Sequence, residues 1–401
     1  MPQHTDTQLA PAAGGEAFRA AKVAVEASGL HCAAGSTVAE LLAAWAAGGK
    51  PPARLPFASD WLPGATAYLL DEPNLRSQLY DRKAVRTLDK QALNALAAAL
   101  ACAKPLAGFA DPARVGLYMG MPMVEEPVPS WETLGALGRV GADLAAIQHS
   151  ILGDTPPLTS LMILNSTAAS HIASQFGVTG TTGVFSPWAD AGLEALIEAA
   201  WSIAEGDNDR ALAGASAPTV TPFLYFNYET QGLLDTGAGL PVPGEGAAFV
   251  ALRPADGGPA ACLAGYARGF EPDPQAAQAA RRRCMEAALA SAGVAAADIG
   301  WILFDPLCGR AGVAAERAAI AELFGADAPL CGWHEVCGYL GPAQPVFDVA
   351  AAAAALLEGW RVVENPKGQG LERQDVAPRH VLINASGCRG QFVSLVMSRH
   401  E

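Results

Sequence analysis

The sequence predicts a large α/β protein assembled from two similar halves, and three observations predict it. The chain has 401 residues, 51% of them hydrophobic and 16% charged, which is enough to bury a sizeable core. Short apolar strands alternate with helices whose apolar residues recur at three- and four-residue spacing. The layout of the first half then returns, strand by strand and helix by helix, in residues 253–401.

Composition narrows the partners. A formal charge of −14 and a pI near 4.9 argue against nucleic acid or an anionic membrane, both of which select basic patches. The eight cysteines follow no regular spacing and no signal peptide is apparent, so reduced thiols in a cytoplasmic protein are expected. No apolar run approaches the ~20 residues of a membrane-spanning helix.

Taken in order, residues 1–21 are rich in Ala, Gln, Thr and Gly without periodicity and read as a loose tail. Lys22 to Leu30 is the first core strand. Gly35-Ser36-Thr37-Val38 then caps a helix in which Val38, Leu41, Leu42 and Trp45 face inward. Ala84 to Asp89 heads a helix through Leu100, and Arg114 to Gly120 is the next buried strand. Met121 to Thr159 carries prolines at 122, 127, 129, 156 and 157 and the pair Glu125-Glu126, the mark of a long connection lining an interface or pocket.

The stretch from Asn165 to Gly214 organises the chain. A short strand, Val184-Phe185, feeds a turn that opens a helix near Asp190, with Leu193, Leu196, Ile197, Ala200 and Ile203 on its buried face. Arg210 to Gly214 is the following strand. A strand that turns sharply into a buried helix aims the turn residue and the first backbone N–H groups into one cavity, a place suited to a nucleophile and its oxyanion. Further on, Gly244-Glu245-Gly246 reads as a tight turn into a buried strand, because glycines at that spacing are weak evidence for phosphate binding. Ala276 to Ala292 is an amphipathic helix and Asp298 to Phe304 the strand after it.

Asn165, Ala168, His171 and Ile172, then Phe176-Gly177 and Gly180, then Ala213-Gly214, resemble the β-ketoacyl synthase family of thiolase-fold condensing enzymes. The resemblance runs over nearly the whole chain from Lys22 onward and implies the thiolase-like fold, two α/β halves in an α-β-α-β-α layered core, here divided into residues 22–252 and 253–401. It also locates the family's catalytic positions. The nucleophilic cysteine lies twelve residues beyond Gly177 and twenty-five before Gly214, and both counts reach Ala189. Alanine cannot hold an acyl group as a thioester. The first catalytic histidine lies six residues beyond Ile299, with Glu316, Phe324 and Gly325 in register after it, and that position is Asp305. An ionised carboxylate accepts hydrogen bonds but donates none. The second histidine is matched by Tyr339, on the anchor of Gly338, and the family's lysine by His334. Leu382 to Gly390 stands in place of the family's tunnel-wall loop, keeping its Asn as Asn384 and losing both Phe.

These changes imply an inactive subunit of the chain-length-factor type, closest to those of aryl polyene and type II polyketide systems. Such a subunit has no catalysis of its own, pairs with an active β-ketoacyl synthase, meets an acyl carrier protein either directly or only through that partner, and needs no cofactor or metal. The resemblance places Met123, Leu158, Phe185, Ser186 and Trp188 along the acyl tunnel and interface, with the strand Gly183 to Ser186 pairing across a two-fold axis. Two alternatives stand beside it: an acyltransferase or decarboxylase using Asp305 and Tyr339 as acid-base groups, and a homodimeric acyl-binding protein.

Other residues read as structural. Cys331, His334 and Cys337 lack a fourth metal ligand. His171 fits packing and one hydrogen bond. Arg281-Arg282-Arg283 reads as a solvated run, the sharper reading being a docking point for an acidic carrier. Cys308 and Cys388 lie near the altered site, where Asp305 discourages an ionised thiol.

Overall fold

The computed structural model describes the chain except residues 1–17, 19–21, 56–64, 105–109, 124–142, 155–157, 159–160, 162–163, 234–241, 256, 306–308 and 366–369. Most of the expected tail, the centre of the Pro-rich connection and Cys308 therefore lie outside the described residues. The strands, in chain order, are β1 (Val23–Cys32), β2 (Ala53–Arg54), β3 (Thr66–Ala67), β4 (Val115–Gly120), β5 (Thr182–Phe185), β6 (Arg210–Ser216), β7 (Gly246–Pro254), β8 (Ala260–Phe270), β9 (Ile299–Leu303), β10 (Leu330–Cys331), β11 (Arg361–Glu364), β12 (Leu371–Gln374), β13 (His380–Ser386) and β14 (Gln391–His400).

Ten of them are joined in the order β10-β9-β13-β14-β8-β1-β7-β6-β4-β5. Read outward from the centre, each side has the same plan. The innermost strand is the first of its half in sequence, the next is the last, and the outer two strands run parallel to their inner neighbour. Among the described residues, two strand pairs, Val23 with Leu263 and Ala24 with Cys262, join the two sides of the sheet. The repeat expected from the sequence is thus visible as topology.

Helices Ala189–Ala204 and Ala343–Glu358 pack against each other between the two sides and are buried on nearly every face. Their Ala-rich sequences suit this, since a helix apolar all round belongs in a core. Along β6, Ala211, Ala213 and Ala215 face this middle layer while Leu212 faces the other way. Helices Lys90–Ala103 and Asn165–Phe176 cover the outer face of the first half, and Ala277–Ala292 and Gly309–Phe324 that of the second. The result is the α-β-α-β-α layering that the resemblance implies.

Helix starts follow local chemistry. The Thr37 hydroxyl accepts from the Glu40 amide at 3.2 Å, while the Glu40 carboxylate accepts from the Ser36 amide at 2.6 Å, a reciprocal cap. Val38 and Leu41 are buried, but Leu42 and Trp45 only half so. Asp89 caps helix Lys90–Ala103 by accepting from Ala92 N at 2.8 Å. Among the described residues no helix is long and apolar enough to cross a membrane.

Two structural readings change. Arg281 is buried, and its guanidinium reaches Glu316 at 3.3 Å and Ser386 Oγ at 2.8 Å, so only Arg282 and Arg283 remain on the solvated side. His171 bonds through both ring nitrogens, to Tyr80 Oη at 3.1 Å and Thr87 Oγ1 at 2.8 Å. Each exception is a polar group whose partner lies far away in sequence.

Candidate functional site

The site forms where the middle helices meet the carboxyl ends of β5, β9 and β13. Helix Ala189–Ala204 begins directly after the Ser186-Trp188 turn, and it sits close against its neighbours because Gly192 has no side chain. A Cβ there would lie 2.0 Å from the Pro342 carbonyl oxygen. Ala189, Asp305 and Tyr339 are each only 1% exposed. Ala189 and Tyr339 line the middle-layer apolar core, to which Phe185, Trp188 and Cys388 also pack.

A methyl group therefore stands at the head of the helix. The neighbouring Asp190 is pushed up to about 6 by burial. Burial likewise pushes the Cys388 thiol well up, and the charges of Asp305 and Asp190 push it further. A thiol so placed stays protonated and is a poor nucleophile.

Asp305 is held rather than offered. Its carboxylate accepts from the Ser386 amide at 2.6 Å, tying the end of β9 to the end of β13, and its own amide donates to Glu316 at 3.3 Å. Glu316 also accepts from Asn384 Nδ2 at 2.9 Å, and Asn384 Oδ1 accepts from Ser394 Oγ at 2.7 Å. Burial raises Glu316, with Arg281 pulling it back. A second buried acid, Asp348 in the middle helix, is raised by burial, and the charge of Asp305 adds to the shift. Its partner is Gln344, whose Nε2 donates to Asp348 Oδ1 at 3.2 Å.

Tyr339 is fixed through its backbone. Its amide donates to Val242 O at 2.8 Å and its carbonyl accepts from Gly244 N at 2.9 Å. Burial pushes His334 down to about 4, so its ring is neutral at physiological pH, with the Phe304 ring edge-on at 6.2 Å. Among the described residues no three His, Cys, Asp or Glu side chains are placed to hold a metal ion.

Just past Ser386, which Asp305 holds, lies a cavity of about 390 Å³, lined in part by Arg281, Gly312, Gly387, Cys388 and Arg389. Of the residues expected along a tunnel and interface, Phe185 and Trp188 are half-buried and Ser186 is exposed. Trp188 faces Tyr228 at 6.1 Å. Asn165 Nδ2 donates to Ser186 Oγ at 3.2 Å and to Pro122 O at 3.1 Å, and the Ser186 hydroxyl donates to Met121 O at 2.9 Å. These bonds hold the exit of β4, and hence Met123, beside β5. Met123 and Leu158 are 42% and 41% exposed. Among the described residues β5 pairs with β4 alone, leaving its outer edge open.

Sequence reading missed Asp348, Asp190 and the Arg281–Glu316 pair. Asp348 had a signal, a lone charge inside Val346 to Leu356. Arg281 had none, because its partner is 35 residues away.

Comparison with known proteins agrees with this geometry. Residues 70–256 match the family model of the β-ketoacyl synthase N-terminal domain. No curated protein matches the chain. A β-ketoacyl synthase from Burkholderia phymatum STM815 superposes with a TM-score of 0.77 at 19% identity, over 95% of this chain and 100% of that one. The ishigamide ketosynthase/chain length factor gives 0.74 at 19% identity, over 95% and 99%. The type II polyketide synthase complex AntDE:AntF, an acyl-carrier protein with its ketosynthase, gives 0.70 at 18% identity, over 94% and 99%. This chain thus has the thiolase-like ketosynthase fold and carries a match to the β-ketoacyl synthase N-terminal domain at residues 70–256.

Proposed function

We propose that this chain is a non-catalytic ketosynthase-like subunit, a chain length factor that pairs with an active β-ketoacyl synthase and shapes its acyl tunnel. The observation that carries the reading is the altered site itself. Ala189 replaces the nucleophile, and Asp305 holds the Ser386 amide through one carboxylate oxygen, an acceptor where the family has a donor. The similar solved structures include a ketosynthase/chain length factor and a ketosynthase with its acyl-carrier protein, and they support an active synthase as partner and a carrier protein reached through it. The system we favour is of the aryl polyene or type II polyketide kind.

The open edge of β5 is the pairing surface in this proposal. An unpaired edge is a template for another strand, and a two-fold axis would let β5 meet its counterpart. The proposal requires an active ketosynthase encoded beside this chain, and co-expression of the two is expected to yield a one-to-one complex by size exclusion and native mass measurement. A chain that stays a homodimer in the presence of that partner contradicts the proposal.

Met123 is the residue proposed to set chain length, at the exit of β4 where it would face the partner's tunnel. A thioether is an adaptable plug, and side-chain volume at a packed position decides how many methylenes fit behind it. In the assembled complex, Met123→Ala is expected to lengthen the product and Met123→Trp to shorten it or stop synthesis, read by product mass. An unchanged distribution with both variants removes Met123 from the tunnel.

A further inference from the structure

The second half carries a cavity of about 260 Å³ that the proposed function leaves unused. Asp298 precedes β9 and His380 opens β13, so the cavity lies at the opposite end of these strands from Asp305 and Ser386. It also touches the seam of the sheet, because Lys22 in its wall leads directly into the β1–β8 pairs that join the two sides.

The lining is basic in an acidic chain. Among the described residues of the wall, Lys22, His380, Arg399 and His400 stand against one acid, Asp298, although the chain has 26 Lys and Arg against 40 Asp and Glu and only seven His. Strand register gathers three of the polar groups on one face. His380 is directly opposite Ser398, and His400 lies two residues further on, so all three project to the side on which Leu382 and Val396 enter the outer core. His380 Nδ1 and Ser398 Oγ are 2.7 Å apart. With that hydroxyl donating, the ring keeps its proton on Nε2 as a further donor. Lys22 is held in a left-handed backbone, φ 45°, and its carbonyl accepts from Ala255 N at 2.8 Å. The carbonyls at the nearby end of helix Ala277–Ala292 are already engaged, Ala290 O by Gly293 N at 3.1 Å and Leu289 O by Val294 N at 3.0 Å.

We propose that this cavity binds the phosphate group of a small phosphate ester, with Lys22, His380 and His400 donating to separate phosphate oxygens. A carboxylate offers two oxygens in one plane, whereas a phosphate ester presents three around a tetrahedron and so suits donors from three directions. The volume is just under the roughly 300–1,000 Å³ of pockets for drug-sized ligands, which leaves room for a small organic part beside the phosphate. Bound there, the ester would tie the entry of β1 to β13 and β14 across the seam.

The test is calorimetric titration of the full chain with glycerol phosphate, inorganic phosphate and, at matched ionic strength, acetate. The expected result is saturable binding of one glycerol phosphate per chain, weaker binding of inorganic phosphate and no saturable heat with acetate. Lys22→Gly removes the ammonium yet suits the left-handed backbone, and His400→Ala removes a second donor. Each is expected to lose about tenfold in affinity, the scale of one charge-assisted hydrogen bond, while Lys50→Ala, at an exposed position outside the cavity wall, binds like the parent. Hydrogen exchange of the parent chain gives a second reading that needs no variant: glycerol phosphate is expected to slow exchange at the start of β13 and the end of β14. The proposal is overturned if no phosphate compound saturates the chain, if acetate binds as well, if both variants bind like the parent, or if protection falls elsewhere. Equal affinity for the two phosphate compounds overturns the ester and assigns the site to the free ion.

Discussion

Incubated alone with an acyl-carrier thioester, the purified chain is expected to keep its unmodified mass. A condensing site holds the acyl group as a thioester and steadies the developing charge with donors, and this site has a methyl group at Ala189 and an acceptor at Asp305. Malonyl decarboxylation is expected at the buffer background. A positioned acid-base group contributes about 10²–10⁴ in rate, and the nucleophile is missing as well. Ala189→Cys sharpens the test, because it returns a sulfur to a helix N-terminus that favours a thiolate while Asp305 stays tied to Ser386 N. The variant is expected to gain at most an acyl adduct, with no condensation product. An acyl adduct on the parent chain, seen by intact mass, would sink the non-catalytic reading.

The second large effect concerns Glu245, the centre of the Gly-Glu-Gly segment. Its carboxylate is 1% exposed and accepts from Lys90 Nζ at 2.6 Å, Leu70 N at 2.8 Å and Val220 N at 3.0 Å. One side chain thereby joins the start of helix Lys90–Ala103, the strand-like segment after β3 and the loop after β6. Glu245→Ala leaves two amides without their acceptor and the partly exposed Lys90 ammonium without its carboxylate, and each unsatisfied buried donor costs about 1–3 kcal/mol. Glu245→Gln keeps the shape and one acceptor oxygen, so a loss of roughly half that is expected, on the scale of a hydrogen bond to a charged group. Denaturant unfolding of the three proteins measures both. A Glu245→Ala chain within about 0.5 kcal/mol of the parent, the ordinary surface range, excludes the clamp.

Glu245 also shows how a motif can be legible while its work is not. The glycines flanking it announce a tight turn, whereas the segment runs extended from the bridges at Pro243 and Gly244 into β7, and the glycine serves close packing, a Cβ on Gly244 lying 2.2 Å from the Cys337 carbonyl oxygen. Nothing in residues 244–246 foretells Lys90, which is 155 positions away. The helix around Ala189 is the reverse case, because its three- and four-residue apolar spacing, the strand before it and the strand after it are all local. The observed start at Ala189 differs from the sequence expectation by one residue.

The sequence by itself determined the alternation of strands and helices, the repeat of the two halves, and the residue types at positions 189, 305 and 339. These follow from periodicity, turn chemistry and residue type, which neighbours in the chain carry among themselves. Only the tertiary structure decided what those residues touch. Asp305 holds the Ser386 amide through one oxygen, and Arg281 is buried against Glu316. Desolvation is the reason. A buried polar group must find a partner wherever the packed layers bring one, and Asp305 and Arg281 find theirs across the fold rather than along the chain.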